Sequence, residues 1–217
     1  MNIVSASFEV LNVSHREPLK FIESVARTCY KSEGLITTGS AEKLVSKLIS
    51  SGHEAMIEHV SITVKFICDR GVSHEIVRHR LASFAQESTR YCNYKNENIQ
   101  FIAPNWLFDH DIEAINNGDW SNCDEDAIVF ADTLAILEQN YKWFLTSVAR
   151  WSPQEARSIL PNALKTEINI MANLKEWHHI FLQRAAPSAH PQMREIMIPL
   201  LQEFKTLYPS LFSSIPY

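Results

Sequence analysis

Val60-Ser61-Ile62-Thr63-Val64-Lys65-Phe66-Ile67-Cys68 alternates apolar and polar residues over most of its length. In an extended chain Val60, Ile62, Val64 and Phe66 share one face, and Ser61, Thr63 and Lys65 share the other. That period of two marks a strand with one buried side. Asp69-Arg70-Gly71 reads as a turn, and a helix is predicted from about Val72 to Leu81 with Ser73 as its cap. The remaining elements show no regular strand–helix–strand rhythm around this strand, so an α+β fold is expected.

Upstream, residues 2–12 read as a first strand. Leu19, Phe21, Ile22, Val25 and Ala26 form a helical stripe between Glu17 and Tyr30. Gly34 to Gly39 is a loop. Ser40 caps a helix from about Ala41 to Ser50, and Gly52 stands where a helix C-terminal glycine belongs. Downstream, residues 91–105 read as irregular or extended, closed by Pro104. Asp124 to Trp151 is the longest helical pattern, and a short helix starts at Ser152-Pro153. Leu164 to Met171 alternates as a strand. A helix begins near Asn173 and runs to about Arg184, and a last one follows Pro187 to about Leu207. No internal repeat or linker interrupts the chain, which predicts a single domain, 1–217.

With 217 residues and 46% hydrophobic content, the chain can bury a substantial core. The net charge of −5 lacks the basic surplus that grips long nucleic acid, so no nucleic-acid polymer is expected as a partner. Met1 to Lys20 lacks the pattern of a secretory signal, and no run of 18 apolar residues occurs. The expectation is a cytoplasmic chain with no membrane partner. Cys29, Cys68, Cys92 and Cys123 form no C-x-x-C pair and read as reduced, structural thiols. His53-Glu54…His59 and His74-Glu75…His79 are near-misses for a zinc motif. On one helix a separation of five residues places side chains about 140° apart, so neither pair binds zinc from one face, and no metal is expected.

The chemistry concentrates in Arg78-His79-Arg80-Leu81-Ala82-Ser83-Phe84-Ala85-Gln86-Glu87-Ser88-Thr89-Arg90-Tyr91. Three arginines and a histidine within this stretch are unusual in an acidic chain. On the predicted helix Arg80 falls inside the apolar sector set by Val72, Ile76 and Val77, where a guanidinium is costly without an anion. Arg78 points elsewhere, one turn from Glu75. If the chain beyond is extended, Gln86, Ser88 and Arg90 share a side. They then offer an amide, a hydroxyl and a forked cation to a nucleotide. A buried ion-pair network with a solvated turn explains the same residues equally well, and composition does not indicate a flavin.

The spacing of Arg78-His79-Arg80, then Ser88, then Arg90 resembles the signature of the flavin-dependent thymidylate synthases. Gly52-His53-Glu54…Glu58-His59 is similar to a second motif of that family, and Arg157-Ser158-Ile159-Leu160-Pro161 to a third. Lys175 to Arg184 resembles its helix ending in a catalytic arginine. The resemblance implies reductive methylation of dUMP to dTMP, with methylenetetrahydrofolate as one-carbon donor and NADPH-reduced FAD as hydride source. It also implies a mixed, largely antiparallel sheet flanked by helices, assembled as a homotetramer with shared active sites. By matching position, Glu75, Arg78, Gln86, Glu87, Ser88, Thr89, Arg90, Arg157 and Arg184 belong to the dUMP site, Arg184 and Ser88 being the catalytic candidates. His53, Ala55, Arg78, His79, Arg80, Gln86, Asn173, Lys175 and His179 belong to the FAD site. Of the adjacent His178 and His179, about 100° apart on a helix, His179 is the one expected at the flavin.

The sequence departs from the family pattern in three places. Glu75 stands where relatives often carry glutamine, Ala55 where some have a hydroxyl residue, and Ser188 to Arg194 lacks the usual glutamate. No side chain is expected to attack the pyrimidine covalently, because the signature contains no cysteine and no Ser-His-Asp arrangement. Two other classes remain: a flavin- and nucleotide-binding protein without methylation, and an assembly module whose arginines join subunits.

Overall fold

The computed structural model describes residues 1–148 and 150–217. Along the chain come β1 (Asn2–Val4), β2 (Ser7–Val13), α1 (Pro18–Thr28), α2 (Ser40–Ser50), β3 (Ser61–Asp69) and α3 (Arg70–Ile76). Then come β4 (Ala82–Gln86), β5 (Gln100–Ile102), α4 (Asp109–Asn117), α5 (Glu125–Thr146) and α6 (Pro153–Ala156). The chain closes with β6 (Lys165–Asn173), α7 (Leu174–Arg184), α8 (Pro191–Leu207) and α9 (Pro209–Phe212). Short 3-10 turns occupy Glu33–Leu35, Glu54–His59 and Arg157–Ile159.

An antiparallel sheet has the order β2-β3-β6-β4. The parallel pairing is a separate two-stranded sheet, β1 on β5, with Ile3 opposite Phe101. The predicted α+β class therefore holds, with the two strand orientations in separate sheets.

The strand read first is the best-determined element. Val60, Ile62, Val64, Phe66 and Cys68 are each at most 1% exposed, the result of apolar residues at every second position. Burying side chains such as Val64 and Phe66 contributes on the order of 1.5–3 kcal/mol each. The chain just beyond β3 departs from expectation. Asp69 is no turn residue: its Oδ1 accepts from Val72 N at 2.8 Å and caps α3 directly. A Cβ at Gly71 would stand 2.9 Å from that same Oδ1, so the cap needs glycine there. Ser73, predicted as the cap, is buried within the helix and donates to Arg70 O.

Helix α3 also stops at Ile76 rather than Leu81. Its buried face is Val72, Ser73 and Ile76. One more turn would carry Arg80 onto that face, where a charge without an anion is strongly unfavourable. The chain leaves the helix instead, and Arg80 is exposed. The extended row Gln86, Ser88, Arg90 is broken too. Strand β4 ends at Gln86, and Tyr91 N and Cys92 N both donate to Ser88 O, closing a turn.

Other boundaries shift for local reasons. The first predicted strand is two, β1 and β2. Helix α5 ends at Thr146, and Trp151 lies outside it, stacked on Phe144 at 4.0 Å. The capping box of Ser152 and Glu155 starts α6 as the Ser-Pro pair predicts. Helices α4 and α9 were not anticipated.

The chain divides into two compact units. The first comprises Met1–Ser7, Phe66–Arg78 and Ala85–Ile168; the second comprises Phe8–Lys65, His79–Phe84 and Asn169–Tyr217. The first unit is built on Ile99, Phe101, Leu134, Tyr141 and Leu164, with a neighbouring cluster of Ile3, Ile115, Ala127 and Ala131. The second packs Trp177, Phe181, Phe204 and Phe212 as an aromatic cluster with edge and tilted contacts. Trp177 Nε1 donates to Ile62 O at 3.1 Å, which pins α7 to β3 within that unit. No helix among the described residues is long and apolar enough to cross a membrane.

Candidate functional site

Within the second unit, α7 organises one site. Leu174, Trp177, Ile180 and Phe181 recur at helical spacing and are buried, which leaves Lys175, His178, His179 and Leu182 for the opposite side. Asn173 Oδ1 accepts from Glu176 N at 2.8 Å, so this residue caps the helix. A cavity of about 560 Å³ is lined by Glu54 and Glu58 of a 3-10 turn, Leu81, and Asn173, Lys175, Glu176, His178, His179 and Leu182 of the helix. Lys175 Nζ contacts Glu58 Oε1 at 2.8 Å. His53 and Ala55, on the same 3-10 turn region, are exposed, and it is Glu54 and Glu58 that this turn presents to the cavity.

His79 lies beside the helix and is 4% exposed. Its Nε2 accepts from Arg184 Nε at 3.0 Å, and its Nδ1 stands 3.5 Å from Glu176 Oε1. The His179 ring meets it edge-on at 5.9 Å. Burial, then the Arg184 charge, then His179 lower the His79 pKa to about 4, so the ring is neutral at neutral pH. Burial also lowers the His178 pKa and raises that of Glu176.

One trio here was not foreseen. Ligand atoms of His79, Glu176 and His179 all lie within 4.8 Å of one another, a spacing at which a cation can be considered. First-row metals bind such ligands at roughly 2.0–2.2 Å, so the trio would have to contract. The Arg184 guanidinium on the same imidazole opposes a cation further.

The first unit holds a different arrangement. A cavity of about 210 Å³ is lined by Arg70, His74, Thr89, Arg157, Ser158 and Asn162, and closed by Leu160, Pro161 and Leu164. Arg157 Nη1 donates to Thr89 Oγ1 at 3.2 Å. Thr166 Oγ1 accepts from both Arg70 Nη1 and Gln86 Nε2, and Gln86 also donates to Ser73 Oγ at 2.9 Å. Two guanidinium groups, an imidazole and hydroxyls converging on a small space suit a phosphate-sized anion.

Of the residues predicted for dUMP, Thr89 and Arg157 line this cavity, and Gln86 stands behind it through Thr166. Glu87 is turned away. It accepts from Tyr94 OH at 2.6 Å and from Lys165, and lines another cavity of about 460 Å³ with Asn2, Asn98 and Gln100. Ser88 sits in the turn, its Oγ accepting from Arg90 N at 3.4 Å, and Arg90 lies over the Tyr91 ring. Arg78 and Arg90 are exposed, and Glu75 O accepts from Arg78 N. Arg184 belongs to the second unit.

Sequence reasoning missed Arg70 and His74. Arg70 reads as a turn residue in the sequence, and the signal that could have found it was Asp69, whose capping places the next residues at a helix start. It also missed Glu54, Glu58 and Glu176. Acidic residues in a first helical turn are so ordinary that nothing marked Glu176 as functional.

Comparison with known proteins places the chain in a family and matches its fold. The family described as thymidylate synthase complementing protein matches residues 10–210. A flavin-dependent thymidylate synthase of Clostridium tetani is 30% identical over 214 residues, covering 90% of this chain and 81% of that protein. Among solved structures, the UMP/dUMP methylase PolB of Streptomyces cacaoi, bound with 5-Br dUMP, aligns with a TM-score of 0.76 at 21% identity, covering 98% of this chain and 96% of the other. ThyX of Helicobacter pylori, with FAD and dUMP, aligns with a TM-score of 0.73 at 19% identity, covering 95% and 99%. At those identities the two structures establish likeness of fold.

Proposed function

We propose, for a chain that belongs to the thymidylate synthase complementing protein family, that it is an FAD-dependent thymidylate synthase acting as one functional domain. The reaction is dUMP plus methylenetetrahydrofolate, NADPH and a proton, giving dTMP, tetrahydrofolate and NADP⁺. The observation that carries this reading is the hydrogen bond from Arg184 to His79. The signature and the arginine-ended helix are 105 residues apart in sequence, and here they meet at 3.0 Å.

FAD fits the donor set of the second unit. Leu81, Leu182 and the imidazoles of His178 and His179 suit a planar heteroaromatic ring, and about 560 Å³ is within the range of cofactor pockets. Lys175 is the lining cation for a pyrophosphate, with the carboxylates of Glu54 and Glu58 opposing it. Asn173 and His179 complete the lining part of the proposed FAD set, with His53, Ala55, Arg78, His79, Arg80 and Gln86 assigned by matching position alone. When bound, FAD supplies the reducing equivalents, drawn from NADPH.

The protein's own groups do the rest. Arg157 and Thr89, joined by Arg70 and His74, hold the dUMP phosphate. Gln86, Ser88 and Arg90, with Glu75, Arg78 and Glu87, are assigned to the rest of the nucleotide by matching position. Arg184 stabilises negative charge developing on the uracil, where a preorganised cation has its largest effect. The chain works as a homotetramer with shared sites.

The test is direct. Purified protein given FAD should show a flavin spectrum and convert dUMP to dTMP in the presence of methylenetetrahydrofolate and NADPH. Light scattering of that preparation should return about four chains per particle. A coloured protein that binds dUMP and makes no dTMP would leave only the binding reading, and an active monomer would remove the shared-site picture.

Ser88 is proposed to bind and not to attack. Among the described residues no carboxylate or imidazole is hydrogen-bonded to its Oγ, which accepts from Arg90 N. Ser88→Ala is expected to slow turnover roughly tenfold, the loss of about one hydrogen bond to the nucleotide. Mass spectrometry of enzyme quenched in turnover should find no pyrimidine on Ser88 or Cys92. A kinetically competent adduct on either overturns the assignment.

A further inference from the structure

The polar core of α7 contains a group to which the proposed reaction assigns no task. Glu176 is 6% exposed and His79 is 4% exposed, so little water competes for either. Arginine carries only hydrogens to donate and keeps its charge throughout the accessible pH range. Arg184 Nε at 3.0 Å therefore requires a lone pair on His79 Nε2. A neutral imidazole has one hydrogen, and it must then sit on Nδ1. That nitrogen faces Glu176 Oε1 at 3.5 Å.

We infer that Glu176 is a positioning residue, whose carboxylate fixes the His79 tautomer so that His79 Nε2 holds and orients the Arg184 guanidinium. The inference rests on the proposed uracil role of Arg184. Without the carboxylate, Arg184 alone still favours the hydrogen on Nδ1, a buried N–H is left unsatisfied there, and the hydrogen spends part of its time on Nε2. Two N–H groups would then face each other, and the bond to Arg184 would be lost. Protonating the imidazole produces the same clash. The charged and titratable groups facing the ring are Glu176, Arg184 and His179, and burial together with Arg184 and His179 keeps His79 neutral down to about pH 4. Selecting a tautomer through the partner of the other ring nitrogen is the means by which histidines are oriented generally. The same geometry argues against reading the trio as a metal site. A cation on Nδ1 would displace the hydrogen to Nε2 and break the contact with Arg184.

The decisive measurement is ¹⁵N NMR of the imidazoles in the full chain, with the His79 signals identified by their loss in His79→Gln. The wild-type ring should carry its hydrogen on Nδ1. Glu176→Gln keeps the shape but removes the charge and can offer His79 either an oxygen or an N–H. It should give a mixed tautomer population and lower kcat about 10- to 100-fold, with the thermal midpoint near wild type. Glu176→Asp, which restores a carboxylate, should recover part of that loss. A wild-type hydrogen on Nε2, one equivalent of tightly bound zinc, or a Glu176→Gln protein with unchanged kcat and tautomer would each overturn the inference. If Glu176→Gln does not fold, the wild-type spectrum still decides. If the wild-type protein makes no dTMP, the proposed function fails while the tautomer measurement stands on its own.

Discussion

Arg184→Ala is expected to lower dTMP formation about 10²- to 10³-fold, the usual cost of removing one preorganised donor at a developing anion. The size is set by placement. Arg184 ends α7, and its Nε is committed to a buried neutral imidazole, so its orientation is set before any ligand arrives. A group that needs no reorganisation during the reaction acts on the transition state more than on the bound substrate. The loss should therefore fall on kcat as well as on kcat/KM. Arg184→Lys separates charge from shape. Lysine keeps the positive charge but has neither the planar fork nor the Nε–H that His79 accepts, so recovery should be small. FAD affinity should stay near wild type in both variants, because Lys175, Asn173 and the imidazoles of the second unit are retained. Steady-state dTMP assays beside flavin titrations check this, and full activity in Arg184→Ala removes Arg184 from the reaction.

The sequence was most legible where one local rule acts alone. Strand β3 could be read from alternation, α7 from a start near Asn173, and α6 from the Ser152-Pro153 pair. It was least legible where a local signal conflicts with burial of charge. The periodicity through Val72, Ile76 and Val77 continues to Arg80, and the cost of desolvating that guanidinium opposes continuing the helix past Ile76. The same holds for Gln86, Ser88 and Arg90. Their alternation is real, but the turn on Ser88 O cancels it, and Gln86 bonds to Ser73 and Thr166 instead. At the site, family-like motifs pointed to His79, Arg184, Thr89 and Arg157, and the fold brings the members of each of these pairs into contact. Glu176 and Arg70 were invisible because one looks like an ordinary first-turn acid and the other like a turn residue. Their significance lies in distances of 3.5 Å to His79 and 3.4 Å to Thr166, which no spacing rule encodes.

Arg157→Ala is expected to raise the KM for dUMP about 10- to 100-fold with kcat changed little, the worth of one charge-assisted hydrogen bond to a phosphate. Arg157 Nη1 already donates to Thr89 Oγ1 at 3.2 Å, and Arg70 and His74 line the same small cavity. A cavity of about 210 Å³ with two guanidinium groups can enclose a phosphate but not a nucleoside. The contact is thus remote from the carbon that is methylated, and a remote contact made equally in substrate and transition state moves KM alone. Arg157 is exposed, so its removal should shift the thermal midpoint only slightly. The control is deoxyuridine, which lacks the phosphate. Wild type and Arg157→Ala should process it equally poorly, whereas their difference on dUMP should be large. Arg157→Lys should lie between, since a point charge attracts phosphate without the fork. An equal loss on dUMP and deoxyuridine would place Arg157 at the base or the sugar instead, and no loss on either would remove it from the nucleotide site.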